Sequence, residues 1–302
     1  MRQLTPLVRA CTSVLALATA LTVTIAAPST AAPPAGGTAA KGASPMFGTT
    51  VFENPGESYR AAYQRVSGQY GKLDAVRMFF PKLPTSWTKI QANVDTTPLV
   101  VSFRADPAGV ISGRYDRELR QWFDDAPTGR TTWWSYWHEP ENDSVNTAQY
   151  RKAWAHIRNL ADSAGNAQLR ATLILMCWTL DSKSGRSWRN YYPGNDVIQV
   201  LAFDCYNTGR KNGVYRDPAK MLAPVQAAAS SVGKPWGIAE LGSTVVKTDG
   251  GEQGRATWLR AFADQVQQRG GLFATYFDSM VGFDYRLHDQ PSRNAWKSVV
   301  QR

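Results

Sequence analysis

The chain has little of what holds metals or cradles phosphates. It contains three histidines and three cysteines, and none of them falls at the close spacing that a zinc site needs. No glycine-rich loop follows an apolar run, which removes the main support for a nucleotide site on an open sheet. Basic residues outnumber acidic ones, giving a formal charge of +10. They are scattered rather than clustered, so a nucleic-acid surface is not expected. Solubility and loose adhesion to acidic polymer account for such an excess. No cofactor and no metal are expected either.

The N-terminus reads as a secretory leader over residues 1–32. Arg2 and Arg9 form a basic start, an apolar stretch of small residues follows, and Thr30-Ala31-Ala32 offers a small-residue cleavage site. The apolar stretch is too short and too rich in Thr and Ala for a membrane anchor, so a secreted chain with no membrane partner is expected. Residues 33–45 are a flexible tether by composition. Residues 46–302 then form one domain, since no second linker or shift in composition follows. That length fits the ~250 residues of an eight-stranded α/β barrel. Beyond the leader, two cysteines remain, Cys177 and Cys205, near the ends of consecutive strand-like runs. They can pair, as cysteines of exported chains do. A bond directly across neighbouring parallel strands is geometrically awkward, so two buried thiols are the other reading.

Eight apolar runs recur with turn signals between them, at 46–52, 73–80, 98–103, 132–138, 171–178, 197–204, 234–239 and 272–277. Near-continuous apolar character is what parallel strands covered on both faces show. Helical stripes fit most of the gaps: Tyr59, Ala62, Tyr63, Val66 and Tyr70; Leu119, Trp122 and Phe123; Tyr150, Ala153, Trp154, Ile157 and Leu160 behind an Asn146 cap; Thr257, Trp258, Phe262 and Val266. Alternating strands and helices mean a parallel sheet. Eight units favour closure into a (β/α)8 TIM barrel, α/β in class, with its site at the C-terminal strand ends.

Two of the apolar runs end on a carboxylate. Glu139 closes Trp133-Trp134-Ser135-Tyr136-Trp137-His138-Glu139, and Glu240 closes Lys234-Pro235-Trp236-Gly237-Ile238-Ala239-Glu240. A charge there is costly without a task or a partner. Runs four and seven border the same barrel mouth, and two carboxylates at one mouth are what glycoside hydrolysis needs. A structural ion pair or a cap is the plainer reading of either one.

Four stretches carry a family resemblance: Ile111-Ser112-Gly113-Arg114-Tyr115-Asp116, Trp137-His138-Glu139, Tyr191-Tyr192-Pro193-Gly194-Asn195-Asp196 running on to Asp204-Cys205-Tyr206, and Lys234-Pro235 to Glu240-Leu241-Gly242. In them the chain resembles the (β/α)8 glycoside hydrolases that carry acid/base and nucleophile glutamates on strands four and seven, and within these family 26, the β-mannanase family. The resemblance implies Glu240 as nucleophile and Glu139 as acid/base of a retaining hydrolase, with a β-linked polysaccharide as partner and mannan as first choice. It implies that Tyr206 donates to Glu240. His138 would support the acid/base or the sugar, with a packed histidine as the alternative. Arg77 ends an apolar run and needs an anion, either Glu240 or another carboxylate of the barrel. The chain departs from the family at Glu141, where the family has asparagine, and after strand eight, where Tyr276-Phe277-Asp278 replaces a tryptophan. Glu141 is thus the rival acid, or a group that shapes the sugar site.

Eleven tryptophans are many for this length. Sugar rings stack on aromatic faces, and Trp178, Trp188, Tyr191 and Tyr192 lie on one strand-five loop. They are the candidate sugar platform, joined by Asp204, Glu141 and Phe277 as substrate-binding residues. Trp122, Trp133, Trp134, Trp154 and Trp258 read as packing. Competing readings are a non-catalytic glycan-binding barrel, which needs no carboxylate pair, and a phosphate-using aldolase, which lacks its lysine and glycine-rich loop here. Mixed-linkage glucan and β-1,3-xylan are alternative substrates. A monomer is expected.

Overall fold

Buried, nearly continuous apolar runs do form strands, and the strands close on themselves. The computed structural model describes residues 44–87, 96–208, 213–251 and 253–302. The expected leader and most of the tether lie outside the described residues. The strands are β1 (Met46–Thr50), β2 (Ala75–Phe79), β3 (Leu99–Phe103), β4 (Thr132–Tyr136), β5 (Leu169–Met176), β6 (Val200–Asn207), β7 (Trp236–Ser243) and β8 (Phe273–Tyr276). Each pairs in parallel with the next, and β8 returns to β1 through the register Met46↔Phe273 to Thr49↔Tyr276. This is the closed eight-stranded (β/α)8 barrel.

Seven α-helices lie among the described residues: α1 (Tyr59–Tyr70), α2 (Pro107–Ile111), α3 (Asp116–Asp124), α4 (Thr147–Ser163), α5 (Pro218–Ser230), α6 (Gln253–Gln268) and α7 (Gln290–Val300). Their stripes are the expected ones. On α4, Tyr150, Ala153, Trp154, Ile157 and Leu160 are buried, and the Asn146 side chain caps the helix by accepting from Gln149 N at 3.0 Å. No described helix is long and apolar enough to cross a membrane.

Side chains alternate between the helix layer and the barrel interior. Val100, Trp133, Ile174, Val200, Ala202, Ala239 and Phe273 form a separate inner cluster. It plugs the barrel beneath the mouth, with Trp133 against Phe273 at 4.5 Å between ring centres. Arg77, Ser102 and Asp204 continue this inward set toward the C-terminal ends.

Three strands, β4, β6 and β7, end away from their apolar runs in ways that shape the mouth. The strand before Glu139 stops at Tyr136, because Trp137 takes a left-handed backbone (φ 47°). Strands β6 and β7 run on past the apolar stretch to Asn207 and Ser243, where a polar rung, Asn207 Nδ2 to Ser243 Oγ at 2.8 Å, replaces apolar packing. Glu240 therefore lies inside β7 rather than at its end. Its direction comes from a bulge: the register passes from Phe203↔Ile238 to Asp204↔Glu240, leaving Ala239 unpaired. Ile238 and Leu241 both belong to the outer core, and the two residues between them both turn inward.

Candidate active site

Glu240 is buried at the mouth and held from two sides. Fully buried Arg77 crosses from β2 and donates Nη2 to Oε1 at 3.0 Å and Nε to the same oxygen at 3.3 Å. Its Nη1 is spent on the Met78 carbonyl, the Val100 carbonyl and Ser102 Oγ, at 2.9, 3.3 and 2.9 Å. The guanidinium also lies 4.0 Å from the centre of the Phe79 ring. From β6, the Tyr206 hydroxyl donates to Glu240 Oε2. Burial, then the Glu240 charge, push that phenol well above its usual range, so it remains a donor. Tyr206 is steadied by stacking on Tyr285, at 4.8 Å.

Glu139 follows β4 in a left-handed backbone, φ 50°. Its amide donates to the Ile174 carbonyl of β5 at 3.1 Å, and its Oε2 accepts from Asn142 Nδ2 at 3.1 Å. Burial first, then the charges of Glu240 and Glu141, push its carboxyl up to about 7. The nearby Asp204 carboxyl acts the other way. Neither buried oxygen of Asp204 has a hydrogen-bond partner among the described residues. Burial and the charges of Glu240 and Glu139 push Asp204 well above the carboxylate range.

Asp204, expected as a substrate contact, is 1% exposed and close enough to Glu139 for the two carboxyls to act on each other. Phe277, named with it, is buried in a ring cluster with Phe52, Phe79, Tyr206 and Tyr285. His138 is half-buried, tilted on Phe79 at 5.4 Å. Burial, then the Arg77 and Arg104 charges, lower its pKa well below the usual range, so it is neutral. Beside this wall, Val51, Phe52, Glu53, Tyr59, Met78 and Phe79 line much of a cavity of about 300 Å³.

Glu141 is buried and spends one oxygen on a neighbouring turn. Its Oε1 accepts from Met176 N and from Thr179 Oγ1, both at 2.8 Å. It fastens the turn that follows β5. The same turn carries Cys177, which is disulfide-bonded to Cys205 with Cα atoms 5.0 Å apart. The pairing is possible because the chain leaves the strand at Met176 and enters a 3₁₀ turn at Cys177. Trp178, on this turn, is 43% exposed. The other three platform candidates are half-buried. Trp188 meets Tyr192 edge-on at 5.3 Å, and Tyr191 meets Tyr150 edge-on at 6.1 Å.

Several contributors were missed in the sequence. Asn142 supplies the amide beside Glu139, one position later than in the family pattern. Ser102 and Tyr285 hold Arg77 and Tyr206. Only Asn142 left a signal, as an amide close behind the Glu139 motif.

The architecture defines a TIM barrel with a carboxyl cluster at its C-terminal mouth, and proteins named as glycoside hydrolases are among those it is similar to. Endoglucanase H of Acetivibrio thermocellus is 22% identical over 269 residues, covering 81% of this chain and 29% of that protein. This chain thus spans less than a third of that relative's length. The catalytic domain of a GH26 endo-β-1,4-mannanase from Bacillus sp. JAMB-750 superposes with a TM-score of 0.57 at 13% identity, over 86% of each chain. A glucosidase from Croceicoccus marinus gives 0.60 at 14% identity, over 85% of this chain and 67% of that one. No family model matches the sequence. The mannanase belongs to the family that the four motifs resemble.

Proposed function

We propose that this chain is a secreted glycoside hydrolase that cleaves a β-linked polysaccharide with retention, by double displacement. One observation carries the reading: a carboxyl held up to about 7, Glu139, stands beside a carboxylate, Glu240, gripped by a buried arginine and a tyrosine hydroxyl. A carboxyl that keeps its proton suits the acid, and one held by fixed donors suits the nucleophile.

Glu240 attacks the anomeric carbon while Glu139 passes its proton to the departing glycosidic oxygen. The bond to the leaving group breaks and a glycosyl ester forms on Glu240. Glu139, now a carboxylate, takes a proton from water, and the hydroxide adds to the anomeric carbon. The ester bond breaks, Glu240 regains its charge and Glu139 its proton. Arg77 and the Tyr206 hydroxyl hold Glu240 in orientation. Exposed Trp178 offers a stacking face to a sugar ring. Mannan is the first substrate expected, from the resemblance and the mannanase fold neighbour. The endoglucanase relative favours glucan as the second. Export is supported by the N-terminal composition and by the disulfide.

The test is reducing-sugar release from galactomannan, mixed-linkage glucan, cellulose and β-1,3-xylan, with the first-formed anomer followed by NMR. A retained anomer on one of them is expected. An inverted anomer overturns the double displacement. No release by folded protein overturns the hydrolase reading.

A further inference from the structure

We infer that Arg104, Trp137 and Asp143 form a clamp that sets the reach of Glu139, making all three positioning residues for proton transfer. The inference rests on the hydrolase reading above.

Among the described residues, the non-glycine residues with positive φ are Trp137 (47°), Glu139 (50°) and Ser144 (50°). Each is disfavoured by contact between Cβ and backbone, and such residues persist only where the surroundings over-determine them. All three fall within eight positions, around the proposed acid. Backbone bonds fix part of this segment. Trp137 N donates to the Phe103 carbonyl at 2.7 Å, and the Tyr150 hydroxyl reaches the Trp137 carbonyl at 3.1 Å.

The side chains supply the rest. One oxygen, Asp143 Oδ2, accepts from Trp137 Nε1 at 2.8 Å and from Arg104 Nη2 at 2.7 Å. The Arg104 guanidinium lies 4.0 Å from the centre of the Trp137 ring. Arg104 itself follows β3, anchored by its amide on the Lys82 carbonyl at 3.1 Å. The Arg104–Asp143 pair is partly exposed, so as an isolated ion pair it would add little stability. Its effect is geometric. It closes a ring of three contacts over the strained turn and ties the residues before and after Glu139 to one oxygen. Arg104 also covers a face of Trp137, which leaves that indole a structural part rather than an open sugar platform.

A displaced acid harms substrates in proportion to their need for a proton. The experiment compares kcat/KM, which reports bond breaking, on the polysaccharide that the wild type cleaves and on dinitrophenyl β-cellobioside and β-mannobioside. The dinitrophenolate leaves without protonation. Asp143→Ala is expected to lose about a hundredfold on the polysaccharide, as for an angstrom-scale misplacement, and less than about threefold on the aryl glycoside, which skips general-acid help. Asp143→Asn, which keeps an acceptor, restores most of the loss. Trp137→Phe, which keeps the ring and removes the N–H, shows the same selectivity more weakly and covers the case in which Asp143→Ala fails to fold. An equal loss on both substrate classes, or no loss on either, overturns the clamp while leaving the hydrolase reading intact. A wild-type protein inert on every substrate overturns both.

Discussion

Glu141 is bonded to Thr179: its Oε1 takes the Thr179 hydroxyl and, at the same distance, the Met176 amide. Those two residues flank Cys177 and Trp178. Glu141→Ala leaves two donors of the turn unpaired. A stability loss of about 1–3 kcal/mol is expected, read by urea or thermal unfolding. Activity should fall by less than the ~100-fold that loss of a general acid costs, and azide should not restore it. Azide rescue of Glu141→Ala would move the acid role from Glu139 to Glu141.

The carboxyls at positions 139 and 240 should separate kinetically. Glu240→Ala loses on the order of 10⁴-fold or more, as nucleophile removal does. Glu139→Ala keeps bond breaking on a dinitrophenyl glycoside but stalls at the glycosyl ester. Azide attacks that ester without base help, so added azide restores turnover and yields a β-glycosyl azide. Product analysis checks this, and near-normal turnover of either variant refutes the assignment.

Glu139 must be protonated to act as acid, so kcat/KM should fall as pH rises through about 7. The same group makes stability depend on pH. Its carboxyl shifts from 4.5 when unfolded to about 7 when folded. Between those values the folded chain holds a proton that the unfolded chain releases. Stability is thus lost as pH rises through this window. Glu139→Gln should abolish activity on polysaccharide yet raise stability at pH 8, on the order of 1–3 kcal/mol. At pH 4 it should change little. Melting curves at the two pH values decide; a variant less stable than the wild type at pH 8 contradicts the burial and charge repulsion argued for Glu139.

The Cys177–Cys205 bond closes a loop of 28 residues in sequence separation. Chain entropy gives it about 3–4 kcal/mol. Thermal unfolding with and without a phosphine reductant should show that loss, and a Cys205→Ala variant should be insensitive to the reductant. Equal melting temperatures in both conditions would mean the unfolded chain gains nothing from release.

Period and length were enough to read the barrel, because strands covered on both faces leave unbroken apolar runs and amphipathic helices leave stripes. The site was readable where a charge interrupts such a run, as at Glu139, Glu240 and Arg77. It was not readable where geometry decides. The bulge at Ala239 turns Glu240 inward, and no residue type there announces it. The left-handed Trp137 and Glu139 carry none of the glycine signals that mark such turns. Asp204 reads as one more polar strand end, and only the fold brings its carboxyl near Glu139. Tyr285 and Arg104 come from loops with no periodicity to read.

The seam between β1 and β8 has a consequence for how the chain is made. Met46 and Phe273 are neighbours in the finished sheet, so the first strand emerges from the ribosome with one of its two edges unmatched. That edge keeps its open N–H and C=O groups until residue 276 is available. Every intermediate before that point is an open sheet, long in sequence separation and slow to close. The last strand to be made is therefore the one that completes the cylinder.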